Sequence, residues 1–147
     1  MPTKEPRPPP PSSDSASRVM RANRAKATRP ERELLANVKR MKLRGFRLNL
    51  PGLPGRPDIA FPEVKLAVFV HGCFWHHHSA HLDRMPRANA GYWRAKFARN
   101  EARDRRKIRA LRVLGWRTLV VWECQVQANP VRCVGRIARR LASNRIV

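Results

Sequence analysis

Apolar residues recur at helical spacing in three parts of the chain. The first part follows the sequence TRPE, which has the spacing of a capping box, and we expect its helix to end at Gly45. The second is a run of arginine and lysine residues with a few apolar anchors, closed by Gly115. The third opens with an Asn-Pro pair, which typically starts a helix. These patterns predict helices after Thr28, over 91–114 and over 129–142.

Short continuous apolar runs predict strands between these helices. The runs KLAVFV (65–70) and RTLVVWE (117–123) have the length and β-branched content of buried strands. DIAF (58–61) is a further strand-like segment, and the proline- and glycine-rich sequence before it predicts turns. We expect EVK (63–65) to form a turn with a lysine at the strand edge. Together these elements predict an α/β domain around a small mixed sheet flanked by helices.

Composition separates a tail from this domain. Residues 1–17 hold six of the 13 prolines and a cluster of serines. Such a segment buries too little apolar surface to offset its ordering entropy, which predicts a disordered tail. The remaining chain, 18–147, is long enough for one domain with one modest core.

Charge points to a polyanionic partner. The chain has 32 lysine and arginine residues against 10 acidic ones, for a net charge of +22. Self-repulsion of that size is tolerated best beside nucleic acid, although a merely soluble basic protein or one drawn to anionic lipid is the alternative. No apolar run approaches the ~20 residues of a membrane span, so we expect no membrane association. The N-terminus lacks an apolar signal segment, which predicts an intracellular protein whose three cysteines are thiols or metal ligands.

All five histidines fall within VHGCFWHHHSAH (70–81). Cys73, His78 and His81 would supply one thiolate and two imidazoles, three-quarters of a tetrahedral zinc site. Cys124, at the end of the strand VVWEC, is the candidate fourth ligand. The alternative is a solvated histidine tract with Cys73 filling the core. Cys133 lies on the apolar side of the last helix and is expected in the core.

Two further features have both a structural and a functional interpretation. Asp58 follows a proline at a strand edge, where many metal-dependent nucleases place a metal ligand, but taken alone it is better explained as a turn residue. Phe74 and Trp75 are either core residues or exposed rings that stack on bases.

Several segments together resemble the Vsr family of very-short-patch mismatch endonucleases. The resemblance runs from about residue 17 to about 140, and its motifs occur in the family's order. They are MRANRAKATRPE (20–31), LPGRPD (53–58), VFVHGCFWHHH (68–78), RNEARDRRKIRALRVLGW (99–116) and VVWEC (120–124). The resemblance implies a single domain of restriction-endonuclease-like, PD-(D/E)xK-type fold with a structural zinc site.

The resemblance also implies roles for individual residues. Asp58 and the backbone carbonyl of Val70 would bind a catalytic Mg²⁺. His76 would be the general base, supported by Glu31 and by His71 at the edge of the active site. Wedges inserted into DNA beside the mismatch would be Met20, Phe74 and Trp75.

One zinc position departs from the family pattern. The family commonly has a second cysteine about seven residues after that of HGC, where this chain has Ala80. The neighbouring His81 is the natural replacement, while Cys73, His78 and Cys124 match the other ligands. An imidazole can bind zinc as a thiolate does, but the slippage of one residue requires a local change in the backbone.

The implied activity is Mg²⁺-dependent nicking of one DNA strand 5′ to the T of a T:G mismatch left by deamination of 5-methylcytosine, the start of very short patch repair. We then expect a cytoplasmic, bacterial monomer that works at the nucleoid, with mismatch-repair proteins as further partners. Two alternatives are a restriction-type endonuclease of the same fold and a zinc-stabilised DNA-binding protein without catalysis. The first would cleave paired DNA, and the second would be indifferent to Mg²⁺.

Overall fold

The computed structural model describes residues 28–73 and 88–143. These contain four helices, four strands and one short 3₁₀ turn. In chain order they are α1 (Arg29–Arg40), β1 (Arg47–Leu48), β2 (Ile59–Phe61), the 3₁₀ turn (Pro62–Val64), β3 (Leu66–His71), α2 (Ala90–Val113), β4 (Arg117–Trp122), α3 (Glu123–Ala128) and α4 (Pro130–Ser143). The predicted tail, 1–17, and the predicted start of the domain at residue 18 lie outside the described residues.

The four strands form one mixed sheet in the order β1-β2-β3-β4. Strand β2 is antiparallel to both β1 and β3, and β4 runs parallel to β3. In the parallel pair, His71 at the end of β3 lies opposite Trp122 at the end of β4. The small mixed sheet expected from the sequence is therefore confirmed. Strand β1 was missed because it has only two residues, both exposed.

Side chains of β3 alternate between the two faces of the sheet, as the period of a strand requires. Leu66 and Val68 belong to the larger core, which is formed with α1, α3 and α4. Ala67 and Phe69 pack on the other face with Leu111 of the long helix α2. Because His71 follows Phe69 by two residues, it lies on the face that α2 covers.

The first helix ends earlier than the sequence predicts. Gly45 was expected to terminate it, but α1 stops at Arg40 and Lys42 adopts a left-handed conformation with φ 58°. The Leu43 N–H then donates to the Val38 carbonyl at 3.2 Å, and Leu43 packs against the core. The helix thus ends where Leu43 enters the core, and not at Gly45 as expected. The expected capping box is also incomplete, since the Thr28 side chain makes no cap hydrogen bond.

The second correction concerns the end of β4. Cys124 was expected to close this strand, but β4 ends at Trp122 and Cys124 lies in the first turn of α3. The Trp122 N–H donates to the Gln125 side chain at 3.0 Å, which starts this helix. The last helix is confirmed, and Asn129 caps it by accepting the Arg132 N–H at 3.1 Å. Cys133 is 3% exposed in the core, as predicted.

None of the helices in 28–73 and 88–143 is long and apolar enough to span a bilayer.

Candidate active site

The carboxylate of Asp58 lies against the backbone of β3. Its Oδ2 atom accepts a hydrogen bond of 2.7 Å from the Val70 N–H. Strand β2 pairs with β3 only from Ile59 onward, so Asp58 precedes the last ladder pair and its side chain takes the place of a further backbone partner. The two residues that the sequence predicts as one metal site are therefore in direct contact.

The same contact fixes the direction of the Val70 carbonyl. Within a strand, the N–H and C=O groups of one residue point to the same side, which is why opposed residues can exchange both bonds. The Val70 N–H points to Asp58, so its carbonyl is directed to the Asp58 side of β3 as well. A carboxylate and a carbonyl are the hard oxygen donors that Mg²⁺ prefers, and Mg²⁺ usually keeps several waters. The donor set fits this ion.

A cavity of about 240 Å³ opens beside this contact. Acidic, basic and aromatic side chains line it from α1, the loop before β2, the end of β3 and the middle of α2. The lining residues are Glu31, Gly55, Arg56, Asp58, Phe69, Val70, His71, Asp104, Lys107 and Ile108. Four of the predicted site residues, from three distant parts of the sequence, thus line one space.

Glu31 reaches the cavity from the first turn of α1. Burial raises the pKa of its carboxyl group, although hydrogen bonds from the side chain and backbone of Thr28 and the charge of Arg32 act in the opposite direction. The Glu31 to Thr28 backbone bond is the half of the expected capping box that does form. A carboxylate with a raised pKa in a cavity is typical of functional sites, and also of structural ones.

His71 is 8% exposed and closes the cavity at the end of β3. Its ring packs edge-on against Trp122 with centroids 5.3 Å apart, and at a tilt against Phe69 at 6.0 Å. These contacts hold the imidazole on the face of the sheet that α2 covers. His71 therefore lines the cavity, and its role at the edge of an active site stays a prediction.

Three charged residues of the cavity were missed from the sequence, namely Arg56, Asp104 and Lys107. The last two come from α2, which was interpreted as a helix of apolar anchors in a basic surface. Asp104 lies seven residues from the buried Phe97 and seven from the buried Leu111, and Lys107 lies four before Leu111. At these spacings all four residues share one face of a helix. A carboxylate on a core-facing stripe was the signal that could have identified them.

Cys73 and Cys124 meet where the parallel strands β3 and β4 end. The register pairs His71 with Trp122, which brings the residues two positions further on together. Burial raises the pKa of the Cys73 thiol to about 11. A hydrogen bond from the Cys124 backbone acts in the opposite direction, while the adjacent Cys124 thiol and the charge of Glu123 add to the rise. Two neighbouring thiols are soft donors that suit zinc. Half of the predicted zinc ligand set is thus adjacent.

The remaining predicted site residues lie outside the described ranges. They are Met20, Phe74, Trp75, His76, His78 and His81. Within residues 28–73 and 88–143, no group of three or more histidine, cysteine or acidic side chains converges on one metal position.

Comparison with known proteins of similar sequence identifies the family. The family model described as "DNA mismatch endonuclease Vsr" matches residues 12–82. The chain is 41% identical over 113 residues to the DNA mismatch endonuclease Vsr of Escherichia coli, covering 77% of this chain and 72% of that protein. The chain belongs to the Vsr family of DNA mismatch endonucleases.

Vsr-type nicking enzymes are similar as well. The type II nicking enzyme V.XorIIP of Xanthomonas oryzae pv. oryzae is 44% identical over 108 residues, 74% of this chain and 79% of its own. The type II nicking enzyme V.NaeI of Lentzea aerocolonigenes is 40% identical over 130 residues, 86% and 78% of the two chains. This Vsr-family protein is a DNA endonuclease, which sets aside the alternative of a DNA-binding protein without catalysis.

Proposed function

We propose that this Vsr-family endonuclease nicks one strand of duplex DNA, 5′ to the T of a T:G mismatch that arises from deamination of 5-methylcytosine. The nick would start very short patch repair. The observation that supports this most directly is the contact between Asp58 and Val70 at the mouth of a cavity lined by acidic and basic side chains. The mixed sheet with an aspartate just before its second strand is also the arrangement expected of a restriction-endonuclease-like fold.

Asp58 and the Val70 carbonyl would hold Mg²⁺. When bound, this ion polarises a phosphodiester and lowers the pKa of a coordinated water. A valine at position 70 suits this role, since only its backbone carbonyl would be used. The hydrogen bond from the Val70 N–H fixes one carboxylate oxygen of Asp58, and so orients the side chain before any ion binds.

Acid–base chemistry is assigned to the histidines that follow β3. His76, neutral at working pH, would accept the proton of the attacking water. Glu31 and His71 would support the site from α1 and from the end of β3, where both line the cavity. The ring contact of His71 with Trp122 holds the end of β3, five residues before His76 in the sequence.

Recognition of the mismatch is assigned to apolar wedges. Met20, Phe74 and Trp75 would enter the duplex beside the mispaired bases. A mispaired step is easier to unstack than a Watson–Crick step, so insertion itself favours mismatched DNA. Phe74 and Trp75 lie in the sequence between Cys73 and His78, so a zinc ion held by Cys73, His78, His81 and Cys124 would fix the chain on both sides of the two rings.

A second candidate function is sequence-specific nicking of paired DNA. It is favoured by the relatives named as type II nicking enzymes. Such an enzyme would share the metal site and differ in what its recognition residues accept.

Nicking assays distinguish the two candidates. Labelled duplexes with each base mismatch in several sequence contexts, and their fully paired counterparts, would be incubated with and without Mg²⁺. A nick confined to T:G duplexes and to reactions with Mg²⁺ supports the mismatch function. Equal nicking of paired duplexes with the same sequence would favour sequence-specific nicking instead.

A further inference from the structure

The cavity needs positive charge if a phosphodiester is to enter it. Three of its lining residues are carboxylates, Glu31, Asp58 and Asp104. Opposed to them are two permanent cations, Arg56 and Lys107. Without cations, an anionic substrate would approach like charges in a partly desolvated space, where repulsion is stronger than in water.

Resting on the proposed function, we propose that Lys107 contacts the scissile phosphate and stabilises the negative charge that builds on its non-bridging oxygens during cleavage. The site would then combine a metal ligand from the loop before β2 with a lysine from helix α2. Neither composition nor motif spacing assigns Lys107 this role, because it lies within a run of basic residues that resembles an ordinary solvated helix surface.

Lys65, the lysine of the sequence EVK, cannot contact a phosphate bound beside Asp58. Lys65 precedes β3, and Val70, the partner of Asp58, lies five residues further along, about 16 Å at the usual rise of a strand. Lys65 is also turned to the opposite end of the sheet, since a Cβ atom added to Gly115 would lie 3.6 Å from its Nζ. Of these two lysines, Lys107 is the one that lines the cavity.

Packing against Gly55 directs Lys107 into the cavity. A Cβ atom on Gly55 would lie 2.9 Å from Cδ of Lys107 and 3.2 Å from its Cβ and Cγ. The aliphatic stem of Lys107 therefore lies directly on the backbone of the loop that leads to Asp58. A lysine with a fixed stem loses less side-chain entropy when its ammonium group binds an anion. Arg56, by contrast, is exposed.

The position of Lys107 on α2 is equally constrained. It shares the buried face of the helix with Leu111, four residues later, and with Asp104, three residues earlier. Arg105 and Arg106 on the same turn are exposed. Lys107 is thus the basic residue of this turn that the helix presents to the cavity, and Arg106 provides a control of equal charge one position away.

The decisive measurement is the single-turnover nicking rate with enzyme and Mg²⁺ in excess, for wild type, Lys107→Met, Lys107→Arg and Arg106→Gln. Loss of a preorganised donor to a charged transition state typically slows a reaction about 100- to 1,000-fold, which is the effect expected for Lys107→Met. Lys107→Arg should recover much of the rate, and Arg106→Gln should keep it. A wild-type rate for Lys107→Met would overturn the inference.

A binding measurement distinguishes direct contact of Lys107 with the phosphate from simple neutralisation of the Asp104 charge by Lys107. Duplexes with either a normal phosphate or a neutral methylphosphonate at the nicking position would be bound without divalent ions, so that nothing is cleaved. The preference for the charged phosphate should fall about tenfold in Lys107→Met and should not change in Arg106→Gln. If Lys107 only offsets Asp104, the preference will not change, and Asp104→Asn will restore the rate of Lys107→Met. Either result would contradict phosphate contact.

Failure of the Lys107 proposal and failure of the proposed mismatch function would give different results. These tests need only a duplex that the wild-type enzyme nicks, whether mismatched or paired. Equal nicking of T:G and paired duplexes by wild type would overturn the mismatch function and leave the Lys107 comparison valid. Methionine keeps the helix propensity of lysine, and circular dichroism melts would confirm that Lys107→Met remains folded.

Discussion

Asp58 completes the strand ladder beside β3, and we propose that the same side chain binds the metal ion. By accepting the Val70 N–H at 2.7 Å, it satisfies a backbone donor that β2 does not reach. The same bond places its carboxylate on the side of β3 to which the Val70 carbonyl points. Asp58 is therefore more than a turn residue, and its role as a metal ligand remains a proposal that mutation can test.

Asp58→Ala should abolish Mg²⁺-dependent nicking while mismatch binding survives. The proposed hard-cation site would lose its one direct side-chain ligand, and we expect a fall in rate of roughly 100- to 1,000-fold or more. Glu63→Gln is the matched control, since it removes an exposed carboxylate from the 3₁₀ turn between β2 and β3. Single-turnover nicking and binding assays measure both properties. Wild-type nicking by Asp58→Ala would remove Asp58 from the active site.

Glu31→Gln should stabilise the protein at neutral pH and weaken its activity. Burial raises the pKa of Glu31, so its contribution to stability is fully present below its unfolded pKa and is lost as pH rises through its folded value. At pH 7 the charged form therefore destabilises the fold, and glutamine removes that charge. We expect a rise in Tm of no more than about 2–4 °C at pH 7. The rise should vanish near pH 4, and a Tm gain that persisted there would contradict this cause.

At the scale of elements, the sequence predicted what depends on local patterns. The apolar run of β3, the Asn-Pro start of α4 and the long basic helix α2 were all correct within a few residues. What it missed depends on contacts between distant segments. Burial of Leu43 ends α1 before Gly45, and Asp104 and Lys107 became site residues only because α2 packs across β3. Such packing leaves no trace in local spacing beyond a charged residue on an apolar face.

The proposed zinc site would link the end of β3 to the chain that follows β4. Cys73 and Cys124 already meet at the ends of these strands, and His78 and His81 would complete the site. His81→Ala should lower the zinc content and reduce Tm by about 4 °C or more, since metal binding contributes directly to folding. His77→Ala should change neither. Full zinc in His81→Ala with a deficit in His77→Ala would show that the fourth ligand has been misassigned.

In the molecule as a whole, the net charge of +22 would contribute to general DNA affinity and the proposed wedge to mismatch selectivity. Contacts from lysine and arginine to phosphates hold DNA without regard to sequence and weaken steeply as salt is raised. Selectivity must therefore come from groups that reach the bases. We propose that these groups include Phe74 and Trp75, the rings that directly follow Cys73.

Replacement of both Phe74 and Trp75 by alanine should reduce mismatch discrimination more than general DNA affinity. Stacking contributes about 1–3 kcal/mol per base, so the preference for mismatched over paired duplex should fall at least roughly tenfold. If the rings belonged to the core, each truncation would instead cost about 3–5 kcal/mol of stability. Competition binding and thermal melts distinguish the outcomes. A collapsed Tm, or unchanged discrimination in a well-folded variant, would refute the wedge.

Mapping the nick on duplexes that differ at a single base tests the proposed mismatch function most directly. A T:G duplex and the matching T:A and C:G duplexes, end-labelled on the T or C strand, would be incubated with wild type and with Asp58→Ala, with and without Mg²⁺. We expect one break, directly 5′ to the mismatched T, made only by wild type and only with Mg²⁺. Breaks of equal yield in the paired duplexes, or nicking that persists without Mg²⁺ or without Asp58, would contradict it.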